Sequence, residues 1–273
     1  MRHDQSATPL PKIDTTVPHP ARRYDYWLGG KDNFAADRES GDAVAAAFPT
    51  IRTAIIENRA FLRRAVTFLT AQAGIRQFFD IGTGIPTSPN VHEIAQSIAP
   101  TARVVYVDND PVVLSHARAL MTSAPEGATA YIDADLRDPN KILNDADLRR
   151  VLDMSAPVAL MLVAILHFIP AEADPYGIVA RLVDALPSGS YLVMSHATYD
   201  FMPPEAIAKL DAADSGQIKF NPRSRDDFAR FFDGLELLPP GIVSIAEWRA
   251  EDEPAPRPTA AEMASHCAVA RKP

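Results

Sequence analysis

One cysteine, Cys267, is all the thiol chemistry that the 273 residues hold. A single thiol makes neither an internal disulfide nor a zinc–cysteine cluster, so no metal is expected and a reducing, cytoplasmic setting fits. Positive charge is also short: 27 Lys+Arg stand against 35 Asp+Glu, a formal net charge of −8. Such a chain has no overall electrostatic footprint for a phosphate backbone, so nucleic acid is not an expected partner. Arg22, Arg23 and Lys31 make the nearest local basic group. Long apolar runs are missing as well. The stretch MRHDQSATPLPKIDTTVPHP has no apolar core of signal-peptide length. The most apolar run, PVALMLVAILHFIP, is bounded by prolines. It falls short of the roughly 20 residues of a membrane span, so no membrane partner is expected.

What is present supports a sizeable core, since 47% of the residues are apolar. Residues 1–20 are Pro- and Thr-rich without an apolar period and read as a flexible arm. Residues 21–74 read as a helical extension. Phe61, Leu62, Ala65, Val66, Phe68 and Leu69 fall at helical spacing, and Gly74 stands where a helix-ending glycine is expected. From residue 75 the pattern alternates. Apolar runs at 76–81, 102–108, 128–135, 157–163 and 189–196 are separated by helical segments. Ser88-Pro89, Asp110-Pro111 and Asp138-Pro139 each pair a capping residue with proline at a first helical position. The first three runs recur about every 26 residues, the length of a βα unit. The expected fold class is α/β: a mostly parallel sheet between helical layers over residues 75–273. In the tail, LELLPPGIVSIAEW and EMASHCAVARKP read as two strands of an antiparallel hairpin on one sheet edge.

The stretch FFDIGTGIPTSPN carries the first chemical signal. Gly82 and Gly84 end the first strand, at the point where open α/β sheets bind ligands. Glycine lets the backbone approach a ligand with no Cβ between. A dinucleotide fingerprint needs a third glycine where Thr87 stands, and Asp80 makes the loop unwelcoming to pyrophosphate. A cation or an amine suits Asp80 better. Two further acids, Asp108 and Asp135, close the second and third runs. A carboxylate at Asp108 can accept from both ribose hydroxyls, with Asn109 beside it. Each acid also has a bland reading, as a turn or helix-capping residue.

An acid, a spacer and two spaced glycines resemble motif I of class I S-adenosylmethionine (SAM) methyltransferases. Wider stretches resemble one family, the SAM-dependent methyltransferase-like proteins abundant in actinobacteria. They include YDYWLGGKDNF, DIGTGIPT, VVYVDNDPVVL, YIDADLRDP and LMLVAILHFIP, and together they cover most of residues 21–200. The resemblance implies a class I, Rossmann-like α/β/α sandwich with a helical N-terminal extension, and SAM as cofactor. It implies that Asp80 favours the cationic parts of SAM while N–H groups of Gly82, Thr83 and Gly84 take its carboxylate. It implies that Asp135 bonds the adenine amine, that Leu136 packs on the ring, and that Ala164 offers its carbonyl to the ammonium. It names no methyl acceptor.

The remaining candidates lie elsewhere. Tyr24, Tyr26 or Trp27 of YDYWLGGKDNF can face a sulfonium as part of a lid, or simply pack on the core. Lys31, Asn33 and Arg59 are candidates for the methionine carboxylate or a substrate, Arg59 through its bidentate fork. His167 and His196 follow the fourth and fifth strands and are the candidate bases, with a structural role as the alternative. The expected function is methyl transfer from SAM to a small-molecule acceptor, since the signature of amino-methylating DNA enzymes is missing after strand four. A SAM-binding protein without catalysis and a nicotinamide-dependent oxidoreductase are the alternatives. The sequence does not fix an oligomeric state.

Overall fold

The five apolar runs fold into five parallel strands: β1 (Gln77–Ile81), β2 (Arg103–Asp108), β3 (Ala128–Asp133), β4 (Ala159–Val163) and β5 (Tyr191–Ala197). The structure, a computed structural model, describes residues 13–120, 123–213 and 218–273. Of the expected flexible arm, residues 1–12 lie outside the described residues. Before β1 come three helices, α1 (Pro20–Trp27), α2 (Ala35–Ala47) and α3 (Ile51–Ala71). Between and after the parallel strands come α4 (Val91–Ile98), α5 (Pro111–Leu120), α6 (Pro139–Asn144), α7 (Ala146–Val151), α8 (Pro175–Asp184), α9 (Pro204–Ala213) and α10 (Arg225–Ala229). The chain closes with β6 (Glu236–Leu237), β7 (Val243–Ser244), α11 (Ala260–Met263) and β8 (Ser265–Arg271).

The sheet runs β3-β2-β1-β4-β5-β8-β6, with β7 also paired to β8. The chain leaves β1 toward one edge through β2 and β3, then returns to the other side of β1 at β4. That reversal opens a crevice beyond the carboxyl ends of β1 and β4, the place where such sheets take ligands. Alternate residues of each strand feed two cores. Phe78 packs on the α3 and α4 side, whereas Phe79 and Ile81 pack on the side of α6 to α8. The helical spacing of α3 is borne out: Phe61, Leu62, Ala65, Val66 and Leu69 are buried, and Phe68 is half-buried. α3 is therefore part of the layer that covers the sheet.

Two local expectations differ from the structure. No helix begins at Ser88-Pro89. α4 starts at Val91, because Glu93 reaches back to the Asn90 N–H (2.6 Å) and Nδ2 (2.9 Å), which puts the start after Asn90. In the tail, LELLPPGIVSIAEW is not one strand. Pro239, Pro240 and Gly241 interrupt it, since proline has no N–H for a ladder, and only the two-residue β6 and β7 pair with β8. β8 itself runs antiparallel to β5 over seven residue pairs, so the edge is a late strand with two short flankers rather than a simple hairpin.

Arg64 on α3 ties this tail to the helical layer. Its Nε donates to the Trp248 carbonyl (2.8 Å), its Nη2 to the Ile245 carbonyl (2.6 Å), and its Nη1 meets Glu253 at 3.3 Å. Removing one partner from such a buried cluster costs about 3–5 kcal/mol. Arg64→Ala is expected to lower unfolding free energy by an amount of that order in urea denaturation; a loss no larger than that of a surface substitution would show that the tail does not depend on it.

Candidate functional site

The glycine loop is held in shape by its own backbone. Gly82 (φ +77°) and Gly84 (φ +69°) occupy the left-handed region that glycine adopts without strain. The Gly82 N–H donates to the Val107 carbonyl at 2.8 Å and the Thr83 N–H to the same oxygen at 3.3 Å. The Gly84 N–H donates to Asp108 Oδ2 at 2.8 Å. All three loop N–H groups are thus engaged, and the expected capture of a ligand carboxylate by them does not match the arrangement. A Cβ on Gly82 would sit 2.6 Å from the Ile165 side chain, while one on Gly84 would meet nothing within 4 Å. Gly84 therefore faces open space, which is the cleft itself.

That cleft gathers most of the predicted residues. Its walls include Tyr24, Arg59, Asp80, Gly82, Thr83, Gly84, Asp108, Asn109, Asp135, Leu136 and Ala164. Asp80 is buried, and among the described residues no Lys, Arg or His lies within ion-pair distance of it. Burial drives its carboxyl up to about 7; the Arg59 guanidinium pulls it back and Asp108 pushes it further. Asp108 is also raised, mainly by burial. It accepts from the N–H groups of Gly84 (2.8 Å) and Asp110 (2.9 Å), one on each oxygen. Two acceptor positions remain on its carboxylate, enough for a pair of vicinal hydroxyls.

Asp135 is placed differently from expectation. β3 ends at Asp133, so Asp135 lies in the following loop. Its Oδ1 accepts from the Arg137 N–H (2.8 Å) and Nε (2.9 Å), and its Oδ2 from Arg137 Nη2 (2.5 Å) and Asn109 Nδ2 (3.0 Å). Those four donors fill the positions a carboxylate offers, and the Arg137 fork holds its pKa down at about 2. An adenine amine finds no free acceptor there unless Arg137 swings away. Arg137 has no signal in the sequence beyond its spacing of two from Asp135. Leu136 is buried beside the cleft.

Arg59 is on the cleft wall, but its Nη2 donates to the carbonyls of Thr87 (2.5 Å) and Pro89 (2.7 Å). It anchors the loop that carries Pro86 and Thr87 in place of a third glycine. Tyr26, Lys31 and Asn33 do not reach the cleft. The Tyr26 hydroxyl donates to Asp42 (2.6 Å) with Arg52 over its ring, Lys31 is exposed, and Asn33 Nδ2 donates to Asp25 (2.8 Å) and the Gly30 carbonyl (3.0 Å). Trp27 is buried and donates to the Gly41 carbonyl at 3.1 Å.

Three residues that pattern reading passed over complete the site. Ala164 holds a left-handed backbone (φ 56°), uncommon for alanine. Its N–H donates to Ser195 Oγ at 3.0 Å; Ser195 Oγ donates to Asn58 Oδ1 (2.6 Å); and Asn58 Nδ2 donates to the Tyr24 hydroxyl (3.0 Å). Asn58, Ser195 and Arg22 are interior polar residues without a motif, so only their burial reveals them. Arg22 meets Asp110 at 3.2 Å, and His19 Nδ1 lies 2.9 Å from the same carboxylate. These contacts draw residues 17–21 across the cleft as a wall.

The two candidate bases are poor ones as they stand. His196 Nδ1–H donates to the Ala197 carbonyl (2.7 Å), and its Nε2 accepts from Arg223 (2.8 Å). Both nitrogens are committed, and burial lowers its pKa to about 3. His167 Nδ1 accepts from the Ala197 N–H at 3.4 Å, and burial holds it well below the usual imidazole range.

A family model described as S-adenosyl methyltransferase matches residues 6–273. A DUF574 family protein of Streptomyces avermitilis is 48% identical, with a TM-score of 0.90 over 96% of this chain and 100% of that one. A protein of Thermobifida fusca described as a proposed methyltransferase is 42% identical, with a TM-score of 0.87 over 98% of this chain and 99% of that one. Magnesium protoporphyrin IX methyltransferase of Synechocystis, solved with bound S-adenosylhomocysteine, is 12% identical with a TM-score of 0.54, covering 92% of this chain and 93% of that one. At that identity the likeness is one of fold. No curated protein matches the chain.

The contrast between the two glycines is testable. A left-handed alanine costs about 1–2 kcal/mol, so Gly84→Ala is expected to lose roughly that in chemical denaturation. Gly82→Ala is expected to lose more, because Ile165 must also move. Equal losses would mean that Ile165 yields freely.

Proposed function

The chain belongs to this S-adenosyl methyltransferase family, with SAM as its cofactor, and we propose that it methylates a small-molecule acceptor at the cleft beyond β1 and β4. The single observation that carries the site assignment is Asp80, a buried carboxylate facing the cleft without an ion-pair partner among the described residues. A cation is the ligand such a group lacks. Asp108 has acceptor positions to spare for ribose hydroxyls, Gly84 leaves room where a Cβ would stand, and Leu136 gives an apolar face for a base. SAM, when bound, supplies a methyl group on a sulfonium that is already a good leaving group.

The chain's own residues have to bind, orient and exclude water. Orientation alone can contribute roughly 7–11 kcal/mol to such a displacement. The wall at residues 17–24, pinned through Arg22 and His19 to Asp110, joins the end of the 1–20 arm to the start of the 21–74 extension, and we assign it the lid role. The unit that holds SAM is 75–273 with α3 packed on it. Ala164 stands at the end of β4, fixed by Ser195 and Asn58, where its carbonyl is the candidate partner for the ammonium. Among the described residues no helix is long and apolar enough to cross a membrane. The buried lone Cys267 fits the reducing cytoplasm that we take as its setting.

Three outcomes are expected. Labelled SAM and a cell extract should yield a labelled small molecule that depends on the protein; label only in macromolecules would exclude the small-molecule acceptor. In calorimetry, Asp108→Ala should weaken SAM binding by about 1.5–3 kcal/mol, the worth of hydrogen bonds to a charged group. Asp80 titrates near 7 in the free protein and must be ionised to hold a cation. Affinity should therefore be full above pH 7 and fall, by up to about tenfold per pH unit, as pH drops below it. Asp80→Asn should flatten that slope; a slope that survives belongs to another group.

A further inference from the structure

A second cavity, of about 150 Å³, adjoins the cleft. Pro20, Tyr24, Asn58, Ala164 and Phe168 line both spaces, so the two meet across one wall. Away from that wall the cavity is enclosed by α1, α2, α3, the end of β5 and the turn between α11 and β8. Small side chains stand on it from three of these elements: Val44 on α2, Ala54 on α3 and Ala264 after α11. Longer ones at those places would fill the space.

The lining is largely apolar and aromatic. Trp27, Phe48 and Met263 are buried in it. Phe168 and Phe220 both meet the His167 ring edge to face, with centroids 4.3 Å and 5.4 Å from it and planes at 63° and 65°. A further planar ring extends such an array favourably, and a thioether suits a ring edge. The volume is that of an engineered apolar cavity that takes up benzene, about 150 Å³. The polar side chains of the shared wall bond one another: Asn58 Nδ2 donates to the Tyr24 hydroxyl (3.0 Å), and Ser195 Oγ donates to Asn58 Oδ1 (2.6 Å). Arg23, also in the lining, donates to Ser40 (3.3 Å) and lies over the Trp27 ring (5.0 Å), so it is engaged with the protein itself.

We propose that this cavity is the acceptor subsite, on the cofactor reading above, and that it recognises the acceptor through a single aromatic ring. The ring fills the space between α1, α2 and α3, and the rest of the acceptor points to the shared wall and the cleft beyond it. Selection is by shape and apolar contact: one ring fits the volume, and a second fused ring exceeds it. Tyr24, Asn58 and Ala164, which line both spaces, set how far the ring stands from the cofactor.

The test uses three uncharged probes, titrated into the full chain with and without saturating S-adenosylhomocysteine: anisole, 2-methoxynaphthalene and 1,2-dimethoxyethane. Anisole should bind at least tenfold tighter than 1,2-dimethoxyethane, which has no ring. The naphthalene, despite its larger apolar surface, should bind no tighter than anisole. Val44→Phe and Ala54→Leu fill the cavity from two different helices. Each should weaken anisole at least tenfold, and abolish transfer of label from SAM to the small molecule of a cell extract, while S-adenosylhomocysteine affinity stays within twofold. Anisole no tighter than 1,2-dimethoxyethane, a tighter naphthalene, or anisole binding or label transfer that survives the fillings overturns the proposal. The probe series on the unaltered chain decides it even if neither variant folds. Absence of S-adenosylhomocysteine binding to the unaltered chain tells against the cofactor site instead, and the probe series without it still judges the cavity.

Discussion

The Asp108 carboxylate is the joint on which the site turns. One oxygen takes the Gly84 N–H and fixes the glycine loop; the other takes the Asp110 N–H and fixes the start of α5. Asp110 in turn meets Arg22 and His19, which bring the N-terminal segment over the cleft. Three stretches that are distant in sequence thus converge on two neighbouring carboxylates. Their burial makes each bond worth more than at the surface, and makes an unpaired group there costly.

The same economy explains why the floor of the cleft is acidic. Asp80 and Asp108 are both raised chiefly by burial, with Asp108 adding to the rise of Asp80 and Asp110 to that of Asp108. Arg59 is near enough to moderate Asp80, yet its Nη2 is spent on the carbonyls of Thr87 and Pro89. The floor of the cleft therefore holds an incompletely neutralised negative charge, of the kind that perturbed groups at functional sites display. Stability alone would favour an apolar residue at Asp80. On the proposed function, a cationic ligand relieves that cost.

The fold was largely legible because its signals are local and repeated. Five apolar runs, glycines after the first, and Asp-Pro pairs at α5 and α6 each state their structure within a few residues. The misplaced start of α4 came from reading Ser88-Pro89 as a cap when Asn90 and Glu93 form the stronger one. The broken tail strand came from discounting two prolines. In the site, Asp80, Gly84 and Asp108 could be found because motif spacing puts them at strand ends. Asn58, Ser195, Arg22 and Arg137 could not, since each acts through partners that only the folded chain supplies. Tyr26, Lys31 and Asn33 show the converse: a distinctive sequence need not face the ligand, and here it builds the loop after α1. The saturation of Asp135 by Arg137 is likewise a side-chain geometry that no spacing announces.

The wall over the cleft also sets an order of assembly. Arg22 and Asp110 are 88 residues apart, and Arg64 reaches Trp248 across 184. Synthesis delivers the N-terminal end of a chain first, but non-local contacts form only after the intervening loop is closed. The segment that emerges before all the strands thus docks only after β2 has been made, since the Asp110 carboxylate that holds it follows that strand. On a growing chain this wall waits for a residue 88 positions further on, while the crevice it borders waits longer still, for β4.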